Sequence, residues 1–397
     1  MVKKFVVLLY GIFLSSIIAG ISYLFIMAEK TSSHWLWHSD FSHSTLYQAV
    51  LILVGSIALY ALKRNWGSLP FTSHQVLHVL QEKGTLKYGQ AWKSLLVALL
   101  ILCLGAGVGP EAPLLGAVIA YSIWQADKMR YLYVHWEELS AGKRFAVLFH
   151  PRRYLQSYQV DQAVLEGQKK KLLVSLYAFN GLFVFWLLMR LSDQPSFVTT
   201  IGKSAWGLEE LLYFLPLLAS GFLFALIYQQ VKKGVGRLKL GDKLSLPRKI
   251  AMGGLSIFVT SQVAPDLLFS GQHSMHTLFD MGLEASAIVL SLLAIGKLLL
   301  LDINLWAGWT GGDIFPLTFA SLLQGFAMAK LLETQGLDTP FVVLVVGIAM
   351  AMQLMENRIL ALIFVSLFFP VNLWPVSLLV FVVYELMARF HKKNQHS

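Results

Sequence analysis

The chain of 397 residues contains a single cysteine, Cys103, and it sits inside an apolar run. One thiol builds neither a disulfide framework nor a cysteine-based metal site. Charge is scarce as well. Asp, Glu, Lys and Arg make up 14% of the residues, against roughly 25% in a soluble globular domain. A disordered chain is excluded by the 56% apolar content, and a soluble enzyme has nowhere to hide so much apolar side chain. A bilayer does. Acidic residues are the scarcer sign, 22 against 32 Lys and Arg, which leaves a net charge of +10. Such a balance suits nucleic acid only when the basic residues form a patch. Here they form short clusters between apolar segments, as at Lys63 and Arg64 or Lys169, Lys170 and Lys171. That is the pattern of loops facing an anionic cytoplasmic leaflet, so lipid and not nucleic acid is the expected surrounding.

Apolar segments recur from 5–27 to about 375–390. The first is longer than a signal-peptide core and has no small-residue cleavage site after it, so it reads as a membrane helix retained in the mature protein. Several others fall short of the ~20 residues that cross a bilayer, and many are broken by Gly or Pro. Short broken helices at membrane depth are tolerated only where protein or a polar cavity surrounds them. The expected architecture is an all-α, multi-pass membrane protein with short, broken and re-entrant helices, of the transporter or channel kind. A single membrane domain over 1–397 is expected, with a first repeat over about 1–200 and a second over 201–397. The one long polar interval, 126–171, is either a loop or a pair of amphipathic helices. The basic clusters predict a cell inner (plasma) membrane protein with both termini cytoplasmic.

Two places share one grammar. Gly109-Pro110-Glu111-Ala112-Pro113 follows a Gly-rich stretch and opens an apolar run; Gly312-Asp313-Ile314-Phe315-Pro316 does the same in the second half. Each is a glycine break, an acid, then proline at what reads as the first turn of a helix, where its missing N–H costs nothing. About forty residues before each stands another small polar break, Gly67-Ser68-Leu69-Pro70 and Ser270-Gly271-Gln272-His273-Ser274. Paired interruptions in two halves are the best sequence pointer to a binding site built by repeats. Helix starts present backbone N–H groups and a partial positive charge, and several aimed at one point bind a small anion without a fixed cation. Glu111 at such a start can itself take the anion's place when charged and vacate it when protonated, which makes it a candidate gate. A first-turn acid is also an ordinary helix-stabilising feature worth about 0.3–1 kcal/mol, and for Asp313 the two readings weigh equally.

At these residues the chain resembles the CLC family of chloride channels and chloride/proton antiporters, as a divergent member of prokaryotic type. Glu111 stands in register with that family's gating glutamate in G-[KR]-E-G-P. Gly312-Asp313-Ile314-Phe315-Pro316 stands where G-x-F-x-P would be, and Gly67-Ser68-Leu69-Pro70 is the remnant of G-S-G-x-P. The resemblance implies a CLC-like inverted repeat, transport of chloride or another small anion, protons as a possible second substrate, and a homodimer with one pore per protomer. It implies anion contacts from Gly67, Ser68, Gly109, Ala112, Gly312, Asp313, Ile314 and Phe315, with Pro70, Pro110, Pro113 and Pro316 marking helix starts. Pro110 replaces the usual base, Ala112 a glycine, and Gly67 takes the serine's register with Ser68 one place on, so the choice between chloride and fluoride stays open. Asp313 brings an acid to a position usually apolar; it repels anions, binds a proton or caps its helix. Glu166 fits the antiporters' second, proton-transferring glutamate by distance, against a plain reading as a solvated loop acid. Tyr384 lies within the last helix and is a poor match for the family's inner tyrosine gate, and regulatory cytoplasmic domains are not expected.

His34, His38 and His43 near Trp35 and Trp37 fit an interfacial belt better than a zinc site. Lys297 and Asp302 lie in one apolar run and must find partners, since a lone charge in the membrane is costly. No cofactor is expected. The rival functions are an intramembrane metal-dependent enzyme, which needs a convergent His/Glu cluster, and a regulatory membrane protein that has lost transport.

Overall fold

The computed structural model describes residues 2–71, 79, 82, 88–157, 167–192, 200–237, 244–272 and 274–394. Among these the chain forms fourteen α-helices and no β-strand. Seven helices are long and apolar enough to cross a bilayer, and the apolar helices Tyr88–Cys103 and Thr339–Leu354 are shorter than that. The protein is an all-α multi-pass membrane protein, and its helix lengths are uneven as the broken apolar runs require.

Contacts group the chain into two compact units. The first holds residues 1–39, 61–103 and 110–195; the second holds 40–60, 104–109 and 196–397. Helix α2 (Thr45–Trp66) therefore changes unit near its end, and a six-residue loop, 104–109, belongs to the second unit although its flanking helices belong to the first.

In the first unit α1 (Val2–Trp37) packs against α3 (Ala91–Cys103), α4 (Glu111–Val134) and α6 (Gly167–Leu191). Helix α1 outruns the apolar segment that predicts it. Its polar extension is satisfied internally, with Ser33 donating to Glu29 one turn earlier at 3.4 Å. Within the interval 126–171, the described residues 126–157 hold the end of α4, a short helix α5 (Ala141–Phe149) and a turn, and 167–171 open α6. Lys128, fully buried on α4, fastens this segment. Its ammonium donates to the carbonyls of Val147, His150 and Arg153 at 2.8, 2.7 and 3.0 Å. A buried ammonium needs such a set of acceptors to offset its desolvation. Tyr10, Leu14, Leu132, Leu139 and Val147 form the apolar cluster beneath it.

The second unit is built from α7 (Phe214–Arg237), α8 (Leu246–Val263), α9 (Leu278–Glu284), α10 (Ala287–Trp306), α11 (Ile314–Leu331), α12 (Thr339–Leu354), α13 (Arg358–Ser366) and α14 (Trp374–Asn394). Helix α12 is buried at every position from Pro340 to Met352. A helix apolar all round belongs at the centre of its unit, and α7, α11, α13 and α14 surround it. Asp338 starts it by accepting from Phe341 N–H at 3.0 Å, an N-cap worth about 1 kcal/mol.

Candidate functional site

The loop 104–109 carries glycine at alternate positions, and the second unit fastens it at three of them. Phe269 N–H donates to Gly105 O at 3.1 Å. Gly107 N–H donates to Oδ1 of Asn304 at 2.8 Å. Gly109 and Gly312 exchange both N–H···O bonds at 2.7 Å, a lone antiparallel bridge. The close approach requires glycine. A Cβ on Gly107 would stand 2.7 Å from Leu300 Cγ, and one on Gly311 2.5 Å from Val108 Cγ2.

The opposite wall is equally fixed. Asn304 is fully buried on α10. Its Nδ2 donates to Ser256 Oγ at 2.9 Å, and its carbonyl accepts from Trp309 N–H at 2.8 Å. Trp309 is fully buried and donates through Nε1 to Ile250 O at 3.0 Å.

Each bridged glycine leads, after one residue, into a helix. Gly109 and Pro110 are followed by α4, whose first residue is Glu111. Gly312 and Asp313 are followed by α11, whose first residue is Ile314. Pro113 and Pro316 occupy the third position of these helices, where the first-turn N–H groups have no partner within the helix in any case. Glu111, Ala112 and Ile314 are half-buried, and Phe315 is buried with its ring edge-on to Phe364 at 4.8 Å. Asp313 is exposed and makes no side-chain cap bond to α11.

The remaining sequence candidates fall elsewhere. Gly67 and Ser68 are exposed in the turn that ends α2, with Gly67 at φ 84°. Pro70 is buried beside them, and Phe71 N–H donates to Ser94 Oγ at 2.9 Å. The helix start expected after Pro70 lies outside the described residues, as do Glu166 and His273. Tyr384 is a buried packing residue of α14 that donates to Gln353 Oε1 and meets Phe222 edge-on. The rings of His34 and His38 stack at 5.1 Å. Among the described residues no group of three or more His, Cys, Asp or Glu is placed to hold a metal ion.

Lys297 and Asp302 do not pair with each other. Lys297 is fully buried and donates to the carbonyls of Leu267 and Phe269 at 2.9 and 2.5 Å. It thus holds the turn whose Phe269 N–H binds Gly105. Asp302 accepts from Tyr228 at 2.7 Å and from Lys232 at 2.6 Å, both on α7.

Asn304, Ser256 and Trp309 position the loop, and motif reading passes over them. The available signal was an amide in a mostly apolar helix, three residues before the Gly-rich break.

The chain has the fold of a slow cyanobacterial Cl⁻/H⁺ antiporter, with a TM-score of 0.70 at 17% identity over 96% of this chain and 94% of that one. It also matches a CLC-type fluoride/proton antiporter, with a TM-score of 0.63 at 17% identity over the same shares. At that identity the likeness establishes fold alone. No curated protein sequence matches the chain. The sequence profile described as voltage gated chloride channel matches residues 168–387, more than half of the 397-residue chain. On that match, with the fold in agreement, this chain belongs to the voltage gated chloride channel (CLC) family.

Proposed function

We propose that the chain carries small inorganic anions, chloride first among them, across the membrane in exchange for protons, along a path gated by Glu111. The observation that carries this reading is the bridge of Gly109 and Gly312. From it two helices depart after a single residue each, one beginning with Glu111 and the other with Ile314. First-turn N–H groups and the partial positive charge of a helix start attract an anion. A carboxylate in the first turn competes for that charge while ionised and ceases to compete once protonated. Gly67, Ser68, Gly109, Ala112, Gly312, Asp313, Ile314 and Phe315 are the proposed anion contacts. Pro70, Pro110, Pro113 and Pro316 are the proposed helix-start positions, where the missing N–H costs nothing.

Antiport is the mode supported by the two antiporters of this fold, one of chloride and one of fluoride. Fluoride is therefore the second anion to test. The exposed Ser68, one place removed from the family register, is the proposed point of selectivity. We further propose a homodimer in the cell inner membrane, each protomer with its own path and both termini cytoplasmic; Lys3 and Lys4 at one end and 389–393 at the other follow the positive-inside tendency.

The test is anion efflux from proteoliposomes with internal pH recorded at the same time, in chloride and then in fluoride. The expected result is anion flux that drives protons uphill. Glu111→Gln imitates the protonated carboxyl at nearly equal size. It is expected to abolish proton movement and flatten the pH dependence of the flux while leaving the protein folded. Parent-like behaviour of Glu111→Gln across pH would remove the gate assignment. Absence of any anion flux in the parent would remove the function.

A further inference from the structure

One end of the first unit gathers basic charge from three stretches of chain. Helices α1 and α6 run parallel there. The Tyr177 ring fills the space a Cβ on Gly11 would take, and Asn180, one turn on, donates to Ile12 O at 3.1 Å and to Ser15 Oγ at 2.8 Å. That register sets Lys169, Lys170 and Lys171 level with Lys3 and Lys4. Helix α5 and the end of α4 reach the same level. The Lys3 ammonium lies over the Tyr133 ring at 4.4 Å, and the Tyr10 hydroxyl donates to Val147 O at 3.3 Å. Tyr10 stands about 10 Å along α1 from Lys3. Helix α5 therefore lies where the apolar part of α1 gives way to its charged start. Trp124, Trp136, Tyr131, Tyr133 and Tyr154 pack around this level, and a belt of aromatic residues marks a membrane–water interface.

Helix α5 has nine residues, about 14 Å of helix, too short to span a bilayer. It is apolar on two opposite sides. Val147 is fully buried against the unit. Phe145 and Phe149 each stand two residues from it, about 200° around the helix. Their rings meet at 4.8 Å and they are 63% and 61% exposed. The protein thus holds α5 by one side and turns a pair of aromatic rings outward on the other. The basic residues beside the rings have two kinds of duty. Arg144 is used internally, donating to Trp136 O at 3.2 and 2.8 Å and stacking on the Trp136 ring at 4.2 Å. Lys143, Arg152 and Arg153 are exposed, and no carboxylate among the described residues pairs with them. Glu137 and Glu138, also exposed, precede α5; against four basic residues between Lys143 and Arg153 they leave the segment 137–153 with a surplus of +2.

We propose that α5 and the turn after it form a docking surface for anionic phospholipid in the cytoplasmic leaflet. Phe145 and Phe149 lie at the boundary between headgroups and acyl chains, and Lys143, Arg152 and Arg153 donate to headgroup phosphates. A helix with outward aromatic rings and flanking Lys and Arg binds in the plane of an interface in this way, and clustered basic residues select anionic lipid. The charge argues for lipid over a second copy of this chain, since the same face of a second copy would bring the same basic residues against these. The Lys128 clasp on the carbonyls of Val147, His150 and Arg153 presents Arg152 and Arg153 beside the rings.

The test places an environment-sensitive fluorophore on Phe149→Cys in the full chain, with Cys103→Ala removing the native thiol. The protein is reconstituted in phosphatidylcholine vesicles that carry, at equal mole fraction, either phosphatidylglycerol or phosphatidylcholine brominated on its acyl chains. Both brominated lipids are expected to quench the fluorophore, and phosphatidylglycerol at least twofold more strongly. Concentrated salt screens surface charge and is expected to bring the ratio near one. The combined Lys143→Gln, Arg152→Gln and Arg153→Gln variant keeps the carbonyls that hold Lys128. It is expected to bring the ratio near one while quenching by phosphatidylcholine persists. Phe145→Cys carries the fluorophore if Phe149→Cys does not fold. No quenching by either lipid overturns the proposal, because the face then lies in water or under another protein. Equal quenching by the two lipids in the parent overturns the anionic preference. An undiminished ratio in the combined variant overturns the assignment to these three residues.

Discussion

Replacing Asn304 by Leu tests whether the glycine loop is held by the contacts that define it here. The variant keeps the side-chain volume and removes two hydrogen bonds, Gly107 N–H to Oδ1 at 2.8 Å and Nδ2 to Ser256 Oγ at 2.9 Å. Their consequences differ. Gly107 N–H is left buried without its acceptor, which costs about 1–3 kcal/mol. Ser256 keeps its own donation to Gly253 O at 2.7 Å, so losing the amide there costs about 0.5–1.5 kcal/mol. The expected destabilisation is about 2–4 kcal/mol. Ser256→Ala removes only the smaller part, about 1 kcal/mol. In the double variant the two losses are expected to fall short of adding by about 0.5–1.5 kcal/mol, because they share one bond. The assay is unfolding in mixed micelles of a mild detergent and SDS, followed by tryptophan fluorescence, with anion flux measured on the same preparations. Flux is expected to fall with the stability of Asn304→Leu and to persist in Ser256→Ala. Asn304→Leu within 0.5 kcal/mol of the parent and with parental flux would refute the reasoning, since the Gly107 contact would then hold nothing.

Two buried cations give further expectations. Lys128→Met strips the donor from the carbonyls of Val147, His150 and Arg153. The segment 141–157 is expected to loosen by about 2–4 kcal/mol, read as at least tenfold faster trypsin cleavage at Lys143, Arg144, Arg152 or Arg153. Lys297→Met fills the same space with a flexible apolar chain but leaves the carbonyls of Leu267 and Phe269 without their donor. Because that turn also holds Gly105, this variant is expected to lose about 2–4 kcal/mol in the mixed-micelle assay and to lose flux together with stability.

The membrane class and the helix starts were legible because both follow from local chemistry. Apolar runs broken by Gly and Pro describe short buried helices wherever they occur. A Gly-x-acid stretch with proline two or three residues on describes a helix start, and helices do begin at Glu111 and Ile314. The fastening of the loop was not legible, because Gly107 meets Asn304 across 197 positions of sequence. Nothing near either residue announces the other. Lys297 and Asp302 show a different limit. Sharing an apolar run suggests a pair, yet five residues on a helix turn through about 500°, which leaves the two side chains about 140° apart. They therefore find separate partners on separate elements. In 126–171 the pattern left loop and amphipathic helix open, since a short stretch with Phe145, Val147 and Phe149 satisfies either; the Lys128 carbonyl clasp fixes α5 in place.

The loop 104–109 also sets a timetable for the ribosome. Its bridge partner Gly312 lies 203 residues further along the chain than Gly109. At roughly 5–20 residues per second, about 10–40 seconds of translation separate the appearance of the two glycines. The flanking helices α3 and α4 are therefore synthesised while the strip between them still lacks its partner. Glycine and alanine between Leu104 and Val108 offer little side chain for a wrong partner to grasp during that wait. The same small residues that admit close backbone contact in the finished protein keep the strip inert while the nascent chain is incomplete. A truncated product ending before Gly312 is expected to leave this strip without its bridge partner, exposed to membrane quality control.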